Sequence, residues 1–157
     1  MQDSPQKVGF ADDHWVHLPG SGGAADVTDA AIYLGMSLRN SGNGIAVLHG
    51  WTFTVDREAG SPRHSRIDDF RRLTRDIYVA AGDIGFWQGA LRDPASAEFA
   101  VARDAVDKRR RIMIELLYGD LDGGQRTISL FSLVPRDDGG WLVSVARHWN
   151  LDRADPR

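Results

Sequence analysis

The chain has 157 residues, of which 42% are hydrophobic and 26% charged, and its formal net charge at pH 7 is −3. This composition excludes a disordered chain and is typical of one globular domain, and the small charge argues against nucleic acid as a partner. The absence of cysteine excludes disulfides and thiolate chemistry, and no apolar run approaches the roughly 20 residues that span a bilayer. We therefore expect a disordered segment or linker at residues 1–6 and a single folded domain over residues 7–157.

The N-terminal half reads as two short strands followed by two long ones. Residues 8–11 and 15–18 flank an Asp-Asp pair, which predicts a small hairpin at a sheet edge. Alternating apolar residues predict strands over 30–39 and 45–55, joined by a turn rich in Gly and Asn. Gly50 interrupts the second of these strands, and a glycine there indicates a bulge or the close approach of another backbone.

The middle of the chain carries the one long helix that we predict. Residues 65–72 favour only a helical turn, and residues 77–80 and 84–91 read as strands. Asp93 is a good N-cap residue and a proline follows it, which predicts a helix over 94–108. Its apolar residues recur at helical spacing: Phe99, Ala102 and Val106.

Three β-rich runs, over residues 110–120, 125–135 and 141–150, form the clearest pattern in the chain. The two connections contain Asp-Gly, a dipeptide that tolerates positive φ and favours hairpin turns, so we expect an antiparallel meander. The loop lengths predict two opposed pairs: Asp120 with Gln125, and Arg136 with Trp141.

The predicted meander is apolar on both faces, so both faces need cover. Its register places Phe131 and His148 on one face, and Trp141, Val143 and Trp149 on the other. A second sheet from the N-terminal half would cover one face, and the helix the other. The sequence thus predicts a mainly β chain: a two-layer β-sandwich of about nine strands, immunoglobulin-like or jelly-roll-like, with one covering α-helix.

Four stretches of the sequence resemble an uncharacterised family of actinobacterial domains: Tyr33 to Trp51, Asp76 to Leu91, Leu117 to Thr127, and Arg147 to Arg157. In that family the domain often follows a short membrane anchor. The resemblance therefore implies that this chain is the soluble part of a longer, membrane-tethered protein, and we favour the cytoplasmic face of the membrane. The family has no defined activity, so the resemblance implies no catalytic or binding residues.

The histidines do not form a recognisable metal or catalytic motif. His49 and His148 both fall among apolar residues, and they would approach each other if the two predicted sheets met there. Such a pair could bind a metal or act as an acid/base couple, but no third ligand for zinc is visible. Nucleophile-elbow and phosphate-loop motifs are absent. We expect no metal and no cofactor, and an enzyme built on His49 and His148 is an alternative hypothesis.

Five tryptophans are many for a chain of this length. Trp51 and Trp141 fit core positions, whereas Trp87 and Trp149 have polar neighbours that favour exposure. Exposed aromatic side chains anchor protein partners or stack on sugars. The candidate binding patch therefore consists of Trp87, Gln88, Arg147, His148, Trp149 and Asn150.

The leading functional hypothesis is a non-catalytic binding or protein-interaction module of a membrane-tethered bacterial protein. Its expected partner is another protein and not a nucleic acid, and it reaches the membrane only through a tether outside this chain. A carbohydrate or small-ligand module is the second hypothesis, which a concave site lined with tryptophan would favour.

Overall fold

The computed structural model of the chain describes residues 6–10, 15–18, 22–39, 46–55, 63–79, 82, 84–120, 125–137 and 139–152. These ranges contain a 3-10 turn, Ile67–Asp69, an α-helix, α1 (Ala97–Asp107), and ten strands: β1 (Gln6–Gly9), β2 (Trp15–Leu18), β3 (Gly22–Val27), β4 (Ile32–Arg39), β5 (Ala46–Val55), β6 (Arg71–Val79), β7 (Ile84–Leu91), β8 (Ile112–Gly119), β9 (Arg126–Pro135) and β10 (Trp141–Asn150). The prediction of a mainly β chain with one helix is confirmed. Residues 1–5 of the predicted linker lie outside the described ranges, and Gln6 begins β1.

Eight of the strands form one antiparallel sheet in the order β6-β5-β8-β9-β10-β3-β4-β7. Strands β1 and β2 form a separate two-stranded antiparallel sheet, so the predicted hairpin is present, but its first strand begins two residues earlier than predicted and it is not an edge of the main sheet. The eight-stranded sheet curls into a half-barrel. The two-layer sandwich is therefore not confirmed. The N-terminal strands extend the meander edge to edge instead of stacking on it, because β5 pairs with β8 and β3 pairs with β10.

The sequence pattern did not predict β3, which begins with two glycines, residues that are depleted in strands. The structure gives a reason for glycine at this place. A Cβ on Gly23 would lie 2.3 Å from Cδ1 of Leu133 and 3.0 Å from Cγ2 of Val143. Glycine thus leaves room for core side chains where β3 meets β10.

The curl of the sheet brings its two outermost strands, β6 and β7, towards each other at one end. Only residues 80–83 separate them in sequence. A Cβ on Gly85 would lie 2.8 Å from Cγ2 of Val79, so the two edges are in close contact there. The sheet consequently has a concave face that encloses a core and a convex face that needs separate cover.

The concave face holds the largest group of buried apolar side chains, including Trp51, Trp87 and Trp141. Helix α1 packs on this core through Phe99, Ala102 and Ala105. The helix begins later than predicted, because Ser96 and not Asp93 is its N-cap residue, with the Ser96 hydroxyl accepting a 3.1 Å hydrogen bond from the backbone N–H of Phe99. Since α1 connects the end of β7 to the start of β8, it lies at that end of the half-barrel.

Two separate pieces of the chain cover the convex face. The β1–β2 hairpin packs with Phe10, Val16 and Leu18 over part of β3, β4 and β7. Residues 63–70 lie over β8, β9 and β10, where the buried carboxylate of Glu115 accepts hydrogen bonds from the backbone N–H (2.8 Å) and the hydroxyl (2.5 Å) of Ser65. Both faces of the sheet are therefore covered, as the meander pattern predicts. Helix α1 packs on the concave core, whereas the convex face is covered by the hairpin and residues 63–70 and not by the two long N-terminal strands.

Strands β8 and β9 pair in the predicted register, which extends to the predicted pair Asp120 and Gln125. The register between β9 and β10 differs from the predicted one by one residue. Trp141 lies opposite Pro135 instead of Arg136, and this shift turns Trp141 and Val143 to the concave face. A bulge between Val145 and Arg147 then reverses the alternation. The one-residue difference in register and the extra residue at the bulge cancel each other beyond Arg147. His148 therefore lies on the same face as Phe131, as predicted.

Candidate functional site

Trp87 does not belong to an exposed patch, contrary to the sequence-based prediction. Its side chain is 0% exposed and packs edge-to-face on Trp51, with ring centroids 5.1 Å apart. The neighbouring Gln88 lies opposite Gly35, and that register places it on the convex face beside the β1–β2 hairpin. Strand alternation therefore separates the two members of the predicted patch that β7 contributes.

The four patch residues of β10 are also divided between the two faces. Trp149 is 7% exposed and packs on the convex face with Ile128, and the guanidinium carbon of Arg147 lies 5.4 Å from the centre of the Trp149 ring. His148 and Asn150 lie opposite Ser129 and Thr127 on the concave face. The prediction of one exposed surface is therefore wrong, because Trp87 and Trp149 are both buried.

The two histidines of the alternative enzyme hypothesis do not converge. His49 sits at the bulge between Leu48 and Gly50, which confirms the irregularity that Gly50 predicted. Its Nε2 lies 3.2 Å from the position that a Cβ on Gly119 would occupy, which is on the convex side. His148 lies on the concave side, so the sheet separates the two imidazoles and they cannot act as a pair.

The concave face carries a row of polar side chains at the end of the sheet away from α1. The register places Trp51, Leu116, Ser129 and His148 side by side on β5, β8, β9 and β10. The next row outward contains Leu48, Tyr118, Thr127 and Asn150. The concave face is thus largely apolar, but on β8, β9 and β10 it carries polar side chains near this end.

Three of these side chains form a hydrogen-bonded chain. The hydroxyl of Tyr118 lies 2.9 Å from Oγ of Ser129, and that oxygen lies 2.5 Å from Nδ1 of His148. Ser129 is 1% exposed, so its hydroxyl has to be satisfied within the protein. We refer to Tyr118, Ser129 and His148 as the polar chain.

The number of hydrogens assigns a direction to the polar chain. In the described part of the protein the Tyr118 hydroxyl has no hydrogen-bond partner other than Ser129. Donation from Tyr118 to Ser129 and from Ser129 to Nδ1 of His148 uses both hydroxyl hydrogens. The opposite direction would leave the Tyr118 hydrogen to be accepted by water, because that side chain is only half-buried. When both hydroxyl hydrogens are kept within the protein, the neutral imidazole carries its proton on Nε2.

Burial supports the neutral form of this imidazole. Although His148 is partly exposed, the desolvation of its ring lowers the pKa of the side chain below its ordinary value. Protonation would also place a hydrogen on Nδ1, where the ring accepts from Ser129. At neutral pH the site therefore presents an uncharged imidazole whose Nε2–H is a hydrogen-bond donor.

A second unusual donor lies deeper on the concave face. The Nε1–H of Trp87 is buried and has no hydrogen-bond partner among the residues that the structure describes. The rings of Trp87 and Trp51 lie against Gly89, where a Cβ would come within 2.6 Å of Trp87 and 2.8 Å of Trp51. The guanidinium carbon of Arg71 lies 5.2 Å from the centre of the Trp51 ring, and Arg71 also forms an ion pair with Glu98 of α1.

The polar chain could be anticipated only in part from the sequence. Tyr118 and Ser129 fall in phase with the apolar residues of their strands, and a polar residue in such a phase signals either a satisfied core group or a site. The pairing that joins them to His148 depends on the β10 bulge, which no local pattern predicts.

Within the part of the chain that the structure describes, no group of three or more acidic or histidine side chains is arranged to hold a metal ion. No helix there is long and apolar enough to cross a membrane. No family model and no curated protein matches the chain. A crystal structure of a protein from Archaeoglobus fulgidus is similar at 12% identity and a TM-score of 0.32, covering 85% of this chain and 95% of that chain. At this level of similarity the comparison carries no argument about function.

Proposed function

We propose that this chain is a small-ligand-binding module whose ligand lies against the concave face of the curled sheet. The observation that carries this proposal is the polar chain on an otherwise apolar wall. Apolar side chains at these positions would continue the core without the desolvation cost of buried hydroxyl groups. Concave, largely apolar surfaces with a few convergent polar groups are the usual form of small-molecule sites.

The burial of Trp87 and Trp149 weakens the case for a protein-interaction module. That hypothesis relied on both rings being available to a partner. One other observation still favours it as the second candidate, because Leu142, which lies opposite Val134 on the convex face of β10, is 48% exposed. The membrane tether and the protein partner that were expected from the sequence are compatible with either candidate and stay predictions.

The proposal can be tested with 1-anilinonaphthalene-8-sulfonate, a fluorescent probe that combines apolar rings with hydrogen-bond acceptors. We expect saturable binding to the folded chain. Replacing His148 by Ala should weaken the affinity about tenfold, since one lost hydrogen bond of roughly 1 kcal/mol and the lost ring contacts together approach the 1.4 kcal/mol of a tenfold change. The matched control is Arg147→Ala, which alters the adjacent residue on the other face and should leave the affinity within about twofold.

Near-UV circular dichroism must show that each variant keeps its packed core, because this probe also binds loosely packed states. Non-saturable binding, or equal weakening by His148→Ala and Arg147→Ala, would contradict a site on the concave face. If Leu142→Ser abolished probe binding while His148→Ala did not, the convex surface of β10 would be the site instead.

A further inference from the structure

We infer that a second copy of this chain pairs with the outer edge of β10, so that the two β10 strands join two half-barrels into one continuous sheet. The outer edge is the side of β10 that faces away from β9, over residues 143–148. The chain itself supplies this partner, and the dimer does not depend on the ligand site proposed above.

The outer edge is open because β3 reaches only the beginning of β10. Among the described residues, β3 pairs with Trp141 and Leu142 alone, whereas β9 follows β10 from Trp141 to Asn150. All side chains from Ser144 to His148 are exposed, although they belong to both faces of the sheet. An interior strand of a covered sheet would bury at least one of these two sets. This stretch is therefore an edge strand, whose outward backbone N–H and C=O groups can pair with another strand.

The chemistry of the outer edge favours pairing over protection from it. Val145 is 52% exposed, and Arg147 is the only Asp, Glu, Lys or Arg between residues 141 and 150. The guanidinium carbon of Arg147 lies 5.4 Å from the centre of the Trp149 ring, so this charge lies on the convex face and not across the edge. Natural edge strands avoid pairing mainly through charged side chains or through cover. The outer edge of β10 has little of either.

The bulge makes the order of faces along this edge the same in both directions. Before the bulge, Val143 lies on the concave face and Ser144 on the convex face. After the bulge, Arg147 lies on the convex face and His148 on the concave face. Without the extra residue, strict alternation would place Ser144 and Arg147 on opposite faces, since they are three positions apart.

Two copies can consequently pair antiparallel about a two-fold axis at the bulge without mixing the faces of the sheet. Each of the following pairs joins one copy to the other: Ser144 with Arg147, Val143 with His148, and Val145 with Ala146. The extra residue of each bulge faces the bulge of the other copy, so the two strands match in length. The two arginines are not opposed, which matters because like charges directly opposite each other destabilise a strand pair. A strand of a different protein would not need this symmetry, whereas a two-fold contact between identical chains uses it.

Sedimentation velocity of the whole chain measures the association. Between about 5 and 500 μM, where a small interface of this kind should dissociate, we expect the mass to rise from 17.3 kDa towards twice that value. Val145→Lys should weaken the dimer about tenfold or more, because it places two like charges beside the axis. The matched control is Val101→Lys, which alters a valine of α1 that is 49% exposed and should leave the dissociation constant within about twofold.

Two outcomes of this experiment would overturn the proposed dimer. One is a mass of 17.3 kDa at every concentration. The other is a dimer that Val145→Lys and Val101→Lys affect equally, because it would use a different surface. Since Val145 is already half-exposed, near-UV circular dichroism should show an intact core in both variants.

Introduced cysteines test the register of the two strands. The chain has no cysteine of its own, so a disulfide can form only between introduced residues. Ser144 lies directly opposite Arg147 of the partner subunit in the proposed pairing, at the roughly 5.5 Å between Cα atoms that suits a disulfide. Two copies of the same residue are three positions apart, which is roughly 10 Å or more and too far to link.

A mixture of Ser144→Cys and Arg147→Cys should therefore form disulfide-linked dimers of one chain of each kind, identified by their mass. Neither variant alone should cross-link. Equal cross-linking of a single variant and of the mixture would refute the register. A mixture that sediments as a dimer but forms no mixed disulfide would refute pairing through β10.

Discussion

Arg109 links the end of the helix to the turn between the last two strands, and its removal should destabilise the protein measurably. The backbone of Arg109 has φ of 56°, in the left-handed region that often ends a helix. Its guanidinium donates hydrogen bonds of 2.9 to 3.1 Å to the carbonyl oxygens of Arg136, Gly139 and Gly140. It also lies 4.7 Å from the centre of the buried Trp141 ring.

The expected loss of stability follows from these contacts. Three hydrogen bonds at a half-exposed position contribute roughly 0.5–1 kcal/mol each. The cation–π contact adds about 0.5–1 kcal/mol. Arg109→Ala should therefore lower the free energy of unfolding by about 2–4 kcal/mol, measured by urea denaturation, and lower the melting temperature by roughly 5–15 °C.

Two further variants test the reasoning at this position. Arg109→Gly removes the same contacts but relieves the left-handed backbone, so it should be about 1 kcal/mol less destabilising than Arg109→Ala. The control is Arg103→Ala, which removes an exposed pair with Asp107 and should change stability by less than about 0.5 kcal/mol. Equal stabilities of Arg109→Ala and Arg103→Ala would refute the proposed role of the guanidinium.

Two other predictions concern the concave face. Gly89→Ala should lower the free energy of unfolding by about 1–3 kcal/mol in urea denaturation, because its Cβ would press on the buried rings of Trp87 and Trp51; unchanged stability would show that these rings can move aside. In His148→Asn the free energy of unfolding should fall less steeply with decreasing pH than in the wild type. Folding lowers the pKa of His148, so as the pH falls the unfolded chain is protonated at this side chain before the folded chain is. The contribution of the neutral imidazole to the free energy of unfolding is therefore complete above the unfolded pKa of about 6.5. It is lost as the pH falls from there towards the lower folded pKa. Parallel profiles of the wild type and His148→Asn between about pH 7.5 and 5 would contradict this.

The local elements of the fold were largely predictable from the sequence, whereas their assembly was not. Strand β7 matches its prediction at both ends, and β10 does as well, because alternation and turn residues act over a few neighbours. The half-barrel contains one strand that the predicted sandwich lacked, β3, which joins β10 to β4, and the two arrangements also differ in whether β5 pairs with β8 or packs on it. That choice depends on which strands pair over long distances in the sequence, and hydrophobic periodicity carries no information about this pairing.

The candidate site shows the same division. His148 was singled out from the sequence, and its face was predicted correctly, although the β9–β10 register was displaced by one residue and the bulge before Arg147 was not foreseen. The exposure of Trp87 and Trp149 was predicted wrongly, because polar neighbours along a strand lie on the opposite face and say little about the ring's own surroundings. Ser129 was not singled out from the sequence, since its partners Tyr118 and His148 are remote in sequence.

The most direct test of a ligand site on the concave face is nuclear magnetic resonance of the tryptophan indole N–H groups during titration with 1-anilinonaphthalene-8-sulfonate. Single Trp→Phe variants assign the five indole signals, and Trp15, which is 54% exposed, serves as an internal control. We expect large, saturable shifts of the Trp87 and Trp51 signals and an unchanged Trp15 signal. Saturable shifts confined to Trp15, or no shifts at Trp87 and Trp51, would contradict a ligand site on the concave face.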